Sequence, residues 1–284
     1  MISRRSLFTT TGVLAGGLAA ASLVGCSNEP NIPRPTASPT GSITDQLDQV
    51  MRTVSDGSAQ FGVHIEDVRS GGTYSFNPDY TSQSASMAKP MIVAMAERKA
   101  RADGEPLSAE NTDNATKAIT HSDNDAASAL WQYAGYQGYP TLAEDLGMAH
   151  THLDQNKADQ WSWTWTTPSD QVRLVKALAT ADTNALTKDE CAFIYGLMGE
   201  VEDDQTWGVG APKSSTVQVH LKNGWVQFKS TDNLWAVNSM GSVTGDGRDY
   251  RLCVMTRQPD FDTGRAVTNE VGKWVFSILG SGTL

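Results

Sequence analysis

Apolar residues at Ile43, Leu47, Val50, Met51 and Val54 recur with the helical period, so an amphipathic helix opens the folded part of the chain. The period then switches to two. The stretch FGVHIEDVRSGGTYSF carries two alternating runs joined at Ser70-Gly71-Gly72 and predicts a β-hairpin. The apolar run after SASMAKP predicts a buried helix to about Arg101. Between 106 and 205 the pattern is mostly helical. DNATKAITHSDNDAASALWQYAG, PTLAEDLG, TPSDQVRLVKALAT and TKDECAFIYGLMGEV each carry helix starts or a 3.6-residue period. Alternation returns in TVQVHLKNGW, NLWAVNSMGSV and RDYRLCVMTRQ, and a helix from about Arg265 to Leu279 closes the chain.

This order predicts an α/β (α+β) fold, an antiparallel sheet flanked by helices with an all-helical lobe inserted. The α/β lobe spans about 43–105 and 212–284, and the helical lobe about 106–211. A site is expected in the cleft between them. No internal repeat is visible.

Residues 1–25 read as an export signal and not as part of the fold. SRRSLFTTTG is a twin-arginine signature, and Val13 to Val24 is too short and too weakly apolar for a stable span. Leu23-Val24-Gly25-Cys26 resembles a bacterial lipobox, with Cys26 as the lipidated first residue of the mature protein. The expected location is therefore the outer face of the bacterial cytoplasmic membrane. Residues 26–42, rich in Pro, Ser and Thr, read as a tether with nothing to bury.

A formal net charge of −10 argues against a nucleic-acid partner, because phosphate binding needs a basic face. The five histidines form no metal-ligand spacing, His150 and His152 read as surface, and no C-x-x-C is present, so no metal or cofactor is expected. Cys191 and Cys253 remain after Cys26, and pairing between them is left open by the sequence. A monomer is expected.

Three short motifs carry the chemistry. In SASMAKP, Ser86 and Lys89 stand one helical turn apart, with Cβ atoms about 5–6 Å apart. A serine hydroxyl is a weak nucleophile unless a base takes its proton, and a lysine can do so only with a depressed pKa. Alone, the pattern is weak, since about one match is expected by chance in a chain of this length. Ser122-Asp123-Asn124 lies in the helical insert, and Lys222-Asn223-Gly224 lies at the end of an alternating strand, where Asn-Gly by itself predicts only a turn.

In the order S-x-x-K, S-D-N and K-x-G, over residues 43–284, the chain resembles the serine β-lactamase and penicillin-binding protein superfamily, most closely its class A β-lactamase-like branch. LGMAHTHLD and TTPSDQVRLVKAL resemble the segments flanking that branch's Ω loop. The resemblance implies Ser86 as the acylated nucleophile, Lys89 as its general base and Ser122 as the proton relay to the leaving nitrogen. It implies Asn124 as the holder of the substrate amide and of Lys89, and Lys222 as a positive charge for a substrate carboxylate. The oxyanion hole is implied at the backbone N–H groups of Ser86 and of Trp225, after Gly224.

Two departures bear on substrate and turnover. Asn223 replaces the usual Thr or Ser, where an amide is still able to donate to a carboxylate, and Trp225 narrows the cleft floor. The Ω-loop stretch THLDQNKADQWSWTWTTP is short and contains no Glu. Ungapped, it sets Lys157 where the family's deacylating glutamate stands. Asp154 matches a structural aspartate and Asp159 is the candidate replacement base. Trp161, Trp163 and Trp165 alternate like a strand and suggest an apolar wall. The resemblance implies a small-molecule or peptidoglycan-peptide substrate, and the expectation is an acyl-enzyme on Ser86 with a β-lactam or cell-wall-peptide-like amide that deacylates slowly. An active β-lactamase with another deacylation base and a non-catalytic envelope binding module are the alternatives.

Overall fold

Strands β1 (Phe61–Asp67), β2 (Thr73–Phe76), β5 (Gln218–Gln227), β6 (Trp235–Gly245) and β7 (Arg248–Gln258) form one antiparallel sheet in the order β2-β1-β7-β6-β5. A second sheet pairs only β3 (Ser82–Gln83) with β4 (Trp165–Thr166). The structure is a computed structural model that describes residues 30–58, 60–212, 214–229 and 232–284. The expected export signal and Cys26 lie outside the described residues. No helix among those described is long and apolar enough to cross a membrane.

Alternation along the strands sends side chains to two cores. Leu252 and Val254 of β7 join α1 (Ile43–Ser55) and α8 (Phe261–Leu279) on one face, through Leu47, Val50, Val267 and Val271. Cys253 and Met255 face the helical side. That side holds α2 (Lys89–Ala102), α3 (Ala109–Thr120), α4 (Asn124–Ala134), α5 (Gly138–Asp145), α6 (Pro168–Thr180) and α7 (Lys188–Met198). The sequence order assigned residues up to 105 to the α/β lobe. In the structure Met91 to Ala96 of α2 run through the helical core, because this first half of the helix is apolar on every face and needs cover all round.

Local capping fixes the element ends. Ser42 and Asp45 form a capping box on α1, where the Ser42 hydroxyl accepts from the Asp45 N–H and the carboxylate accepts from the Ser42 N–H. Asp260 accepts from the Thr263 N–H at 2.7 Å, so α8 begins at Phe261 and not at Arg265.

The tether reading needs correction from residue 30 onward. Ile32 is only 8% exposed and packs in the α1/α8 core. Arg34 pairs with Glu270 at 3.1 Å, and Thr40 exchanges hydrogen bonds with Gln49. Cys191 and Cys253 are both buried free thiols. His150 and His152 are exposed, and no cluster of metal-ligating side chains occurs among the described residues.

Candidate active site

Ser86 sits in a 3-10 turn, Ala85–Ala88, that runs directly into α2. Ala85 holds φ 49, a left-handed conformation unusual for a residue with a side chain. The first hydrogen bond of the turn is from the Met87 N–H to the Ser84 carbonyl, so the Ser86 N–H precedes the turn's own ladder. Pro90 falls in the first turn of α2, where its missing N–H costs nothing.

Gly224 of β5 explains why the strand must carry glycine. A Cβ there would lie 2.7 Å from the Met87 nitrogen and the Ser84 oxygen, and 2.8 Å from the Ser86 nitrogen. These are backbone atoms and have little room to yield. The contact sets the backbone of β5 against the turn that carries Ser86. It is the pairing an oxyanion hole from the Ser86 and Trp225 N–H groups requires.

The other motif residues converge beside Ser86. Asp123 caps α4 by accepting from the Ala126 N–H at 2.8 Å, which leaves Ser122 in the preceding loop at φ 57 and makes Asn124 the first helical residue. Lys89 Nζ donates to the Ser122 carbonyl at 2.6 Å, to Ser122 Oγ at 3.2 Å and to Asn124 Oδ1 at 2.9 Å. Lys222 Nζ reaches the same Ser122 Oγ at 2.9 Å and its neighbour's carbonyl, Asn223 O, at 3.2 Å. One hydroxyl thus accepts from two lysines.

Among the described residues, every acceptor that the two ammonium groups reach is a neutral oxygen. Burial pulls the Lys89 pKa down to about 7, with Asp123 opposing slightly. Burial, and then the charge of Lys89, holds Lys222 well below the usual lysine range. Lys89 therefore carries a substantial neutral fraction at neutral pH, which a lysine needs to accept the proton of Ser86.

Asn223 does not serve as expected. It is fully buried, and its Nδ2 donates to the carbonyls of Gln205 at 2.7 Å and Trp207 at 3.2 Å. Both amide protons are consumed, so none is left for a substrate carboxylate. Strand alternation is the cause, since Lys222 faces Ser122 and its neighbour must face the opposite side. Lys222 is itself fully buried, is not among the residues that line the cavity, and donates to Ser122, which is. Trp225 is half-buried, lines the cavity and packs against Phe261 with ring centroids 5.2 Å apart.

The segment 153–167 is not a strand of alternating tryptophans. Trp161–Trp163 forms a 3-10 turn, and only Trp165 enters β4. The Ser84 N–H donates to the Thr164 carbonyl at 2.8 Å, tying this loop to the Ser86 turn. The Trp161 indole N–H donates to Ser128 Oγ at 3.1 Å, and its ring centroid stands 4.9 Å from Lys89 Nζ. An aromatic ring therefore occupies the flank of Lys89. Lys157 instead lies over the Trp163 ring. Asp154 accepts from the Trp165 indole at 3.0 Å and from the Asn156 N–H, bonds that hold its carboxyl below the usual range and mark it as a structural anchor. Asp159 is exposed and lines the cavity. Its backbone carbonyl accepts from the Trp131 indole at 2.9 Å.

The cavity measures about 770 Å³ and extends well beyond the motif residues, along α4 past Ser128 to Trp131 and Tyr136. Asn124, Ser128 and Trp131 follow helical spacing from the S-D-N motif, so that period was the available signal for a wall not singled out from the sequence.

The model of the beta-lactamase enzyme family matches residues 104–279, more than half of the chain. Among solved structures, a class A β-lactamase from Bacteroides cellulosilyticus superposes with a TM-score of 0.71 at 16% identity, covering 85% of this chain and all of that one. The TLA-1 extended-spectrum β-lactamase gives 0.71 at 16% identity, with 84% and 99% covered. A β-lactamase from Sphaerobacter thermophilus gives 0.65 at 19%, with 78% and 91% covered. No curated protein sequence matches. The sheet of five antiparallel strands, the helical lobe and the family match together establish that this chain belongs to the beta-lactamase enzyme family and has the class A β-lactamase fold.

Proposed function

We propose that the protein is an extracytoplasmic serine hydrolase that forms an acyl-enzyme on Ser86 with a β-lactam or a cell-wall-peptide-like amide and deacylates slowly. The observation that carries the reading is the convergence of two lysines on Ser122 Oγ, with Lys89 held near neutral pKa beside Ser86. Neutral Lys89 Nζ takes the Ser86 proton, directly or through water, as Oγ attacks the carbonyl carbon. The oxyanion collects on the Ser86 and Trp225 N–H groups. As the C–N bond breaks, Ser122 gives its proton to the leaving nitrogen and is recharged from a lysine ammonium. Asn124 aligns Lys89 and offers its amide N–H to the substrate.

Release of the acyl group needs an activated water, and general base assistance is worth about 10²–10⁴-fold. The Trp161 ring on the flank of Lys89 supports slow release. Arg4-Arg5 and Cys26 support export and lipid anchoring. Incubation with a fluorescent penicillin followed by intact mass spectrometry tests the reading. The expected result is a long-lived adduct that is absent in Ser86→Ala. No adduct with any acylating probe overturns it and favours a binding module.

A second reading rests on Asp159, the only carboxylate lining the cavity among the described residues. If it activates water, a chromogenic cephalosporin is turned over steadily. Turnover is then lost in Asp159→Asn while the adduct persists.

A further inference from the structure

Among the described residues, Ile32 is the first to be buried, in the core that α1 and α8 share. Arg34 then pairs with Glu270 of α8, and Thr40 exchanges hydrogen bonds with Gln49 of α1. The segment is thus pinned across both helices and adds no slack between the fold and an anchor at Cys26. Ile32 lies only six residues after Cys26. Fully extended, that length of chain reaches about 20 Å. A domain of this length has a radius of gyration of about 18 Å and is roughly 45 Å across.

The same segment fixes which side of the domain the chain enters. The α1/α8 layer covers one face of the five-stranded sheet. Met87 and Ala88, next to Ser86, belong to the core on the opposite face. The cavity beside Ser86 is lined from α4, the α4–α5 connection, the loop 159–162 and β5, and neither α1 nor α8 supplies any of it. Point of entry and cleft are on opposite sides of the sheet. Turning the cleft toward a bilayer would carry Ile32 roughly 45 Å from it, about twice the distance the chain from Cys26 spans.

The surface around the point of entry suits a headgroup layer. Glu270, the carboxylate there, is matched by Arg34 at 3.1 Å and accepts from the Trp274 indole at 3.0 Å. Lys273 beside it is exposed, and Trp274 is partly exposed. A cation and an amphipathic ring are the side chains that settle at a membrane–water interface.

We propose that the short tether docks the α1/α8 layer on the phospholipid surface that holds the Cys26 lipid, and so turns the cleft away from the bilayer. The proposal rests on the lipid-anchored part of the reading above. The full chain, lipidated in a bacterial host, is reconstituted in phosphatidylcholine–phosphatidylglycerol vesicles that carry a rhodamine-labelled lipid. A donor dye is attached at Lys273→Cys on α8 or at Gln132→Cys on the cavity rim, both exposed positions. Cys191 and Cys253 are buried and stay unlabelled. An unchanged thermal melt establishes that each variant is folded.

Energy transfer to the lipid is expected to be strong from position 273 and weak from position 132. Inserting about 40 Gly/Ser residues after Glu29 adds a mean reach of about 35 Å and is expected to abolish that contrast. Transfer from 132 that equals or exceeds transfer from 273 overturns the proposal. A contrast that survives the insertion overturns the short tether as its cause. An intact mass without lipid on Cys26 removes the anchor reading and the proposal with it. Lipidated protein with equal transfer keeps the anchor and loses only the orientation.

Discussion

Replacing Lys89 by methionine exchanges a buried ammonium for an uncharged chain of similar length. Burial sets the folded pKa at about 7, against 10.5 for an ordinary lysine. That gap of roughly 3.5 units corresponds to about 5 kcal/mol. Below pH 7 the lysine is protonated in both states, and the whole penalty falls on the folded one. Between pH 7 and 10.5 the unfolded chain binds a proton that the folded chain does not, so stability rises by about 1.4 kcal/mol per pH unit. Methionine removes this dependence but leaves the Ser122 carbonyl and Asn124 Oδ1 without a donor, at about 1 kcal/mol each. The Lys89→Met variant is therefore about 3 kcal/mol more stable than wild type at pH 6 and about equal to it at pH 9. Lys222, pushed down by burial and then by Lys89, gains in the same direction. Urea unfolding of both proteins at each pH measures this difference, in which titrating groups that do not sense the Lys89 charge cancel. The same pKa predicts that wild-type acylation by penicillin rises about tenfold from pH 6 to pH 8, while the variant shows none. A stability difference that stays constant across pH 6 to 9 would refute the buried-ammonium argument.

Gly224→Ala drives a Cβ to within 2.8 Å of three backbone atoms of the Ser86 turn. Acylation is expected to fall at least about 100-fold from misplacement alone, with a lower melting temperature. A variant acylated at the wild-type rate would show that the turn and β5 do not need this approach. Asn223→Ala leaves the Gln205 and Trp207 carbonyls unpaired and is expected to cost about 1–3 kcal/mol in urea unfolding, with an unchanged acylation rate constant. A rate loss at unchanged stability would place the amide in substrate binding after all.

The elements themselves were legible because the core-facing residues repeat with periods the backbone imposes. Val50 and Val54, or Leu252 and Val254, need no knowledge of their partners. The motif serines and lysines were legible because their spacing sets them on identifiable turns and strands. Asn223 was legible in principle, since a strand that aims Lys222 at Ser122 turns the next residue away. The loop 153–167 was not. Its shape comes from anchors far away in sequence, Ser84 for Thr164, Ser128 for Trp161 and Trp131 for the Asp159 carbonyl. No period connects those positions, and three tryptophans two residues apart read as a strand when the fold makes a turn. Ile32 was hidden for a related reason, because a lone apolar residue in a proline-rich stretch says nothing of the surface that receives it.

The ring of Trp161 stands on the flank of Lys89, whose pKa burial lowers. A carboxylate in place of the indole, 4.9 Å from Nζ, would attract the ammonium by about 3 kcal/mol at an effective dielectric constant near 20. That is about 2.5 pKa units, enough to keep Lys89 protonated through neutral pH and unable to take the Ser86 proton unaided. An uncharged ring adds only a weak cation–π attraction, about 0.5–1 kcal/mol, and excludes water from the same flank. On the hydrolase reading proposed above, an indole here instead of a carboxylate bears on both half-reactions in opposite directions. It leaves Lys89 free to serve as base for acylation and supplies no group to activate water for deacylation. We therefore expect capture to outpace turnover, with both effects arising from a single side chain.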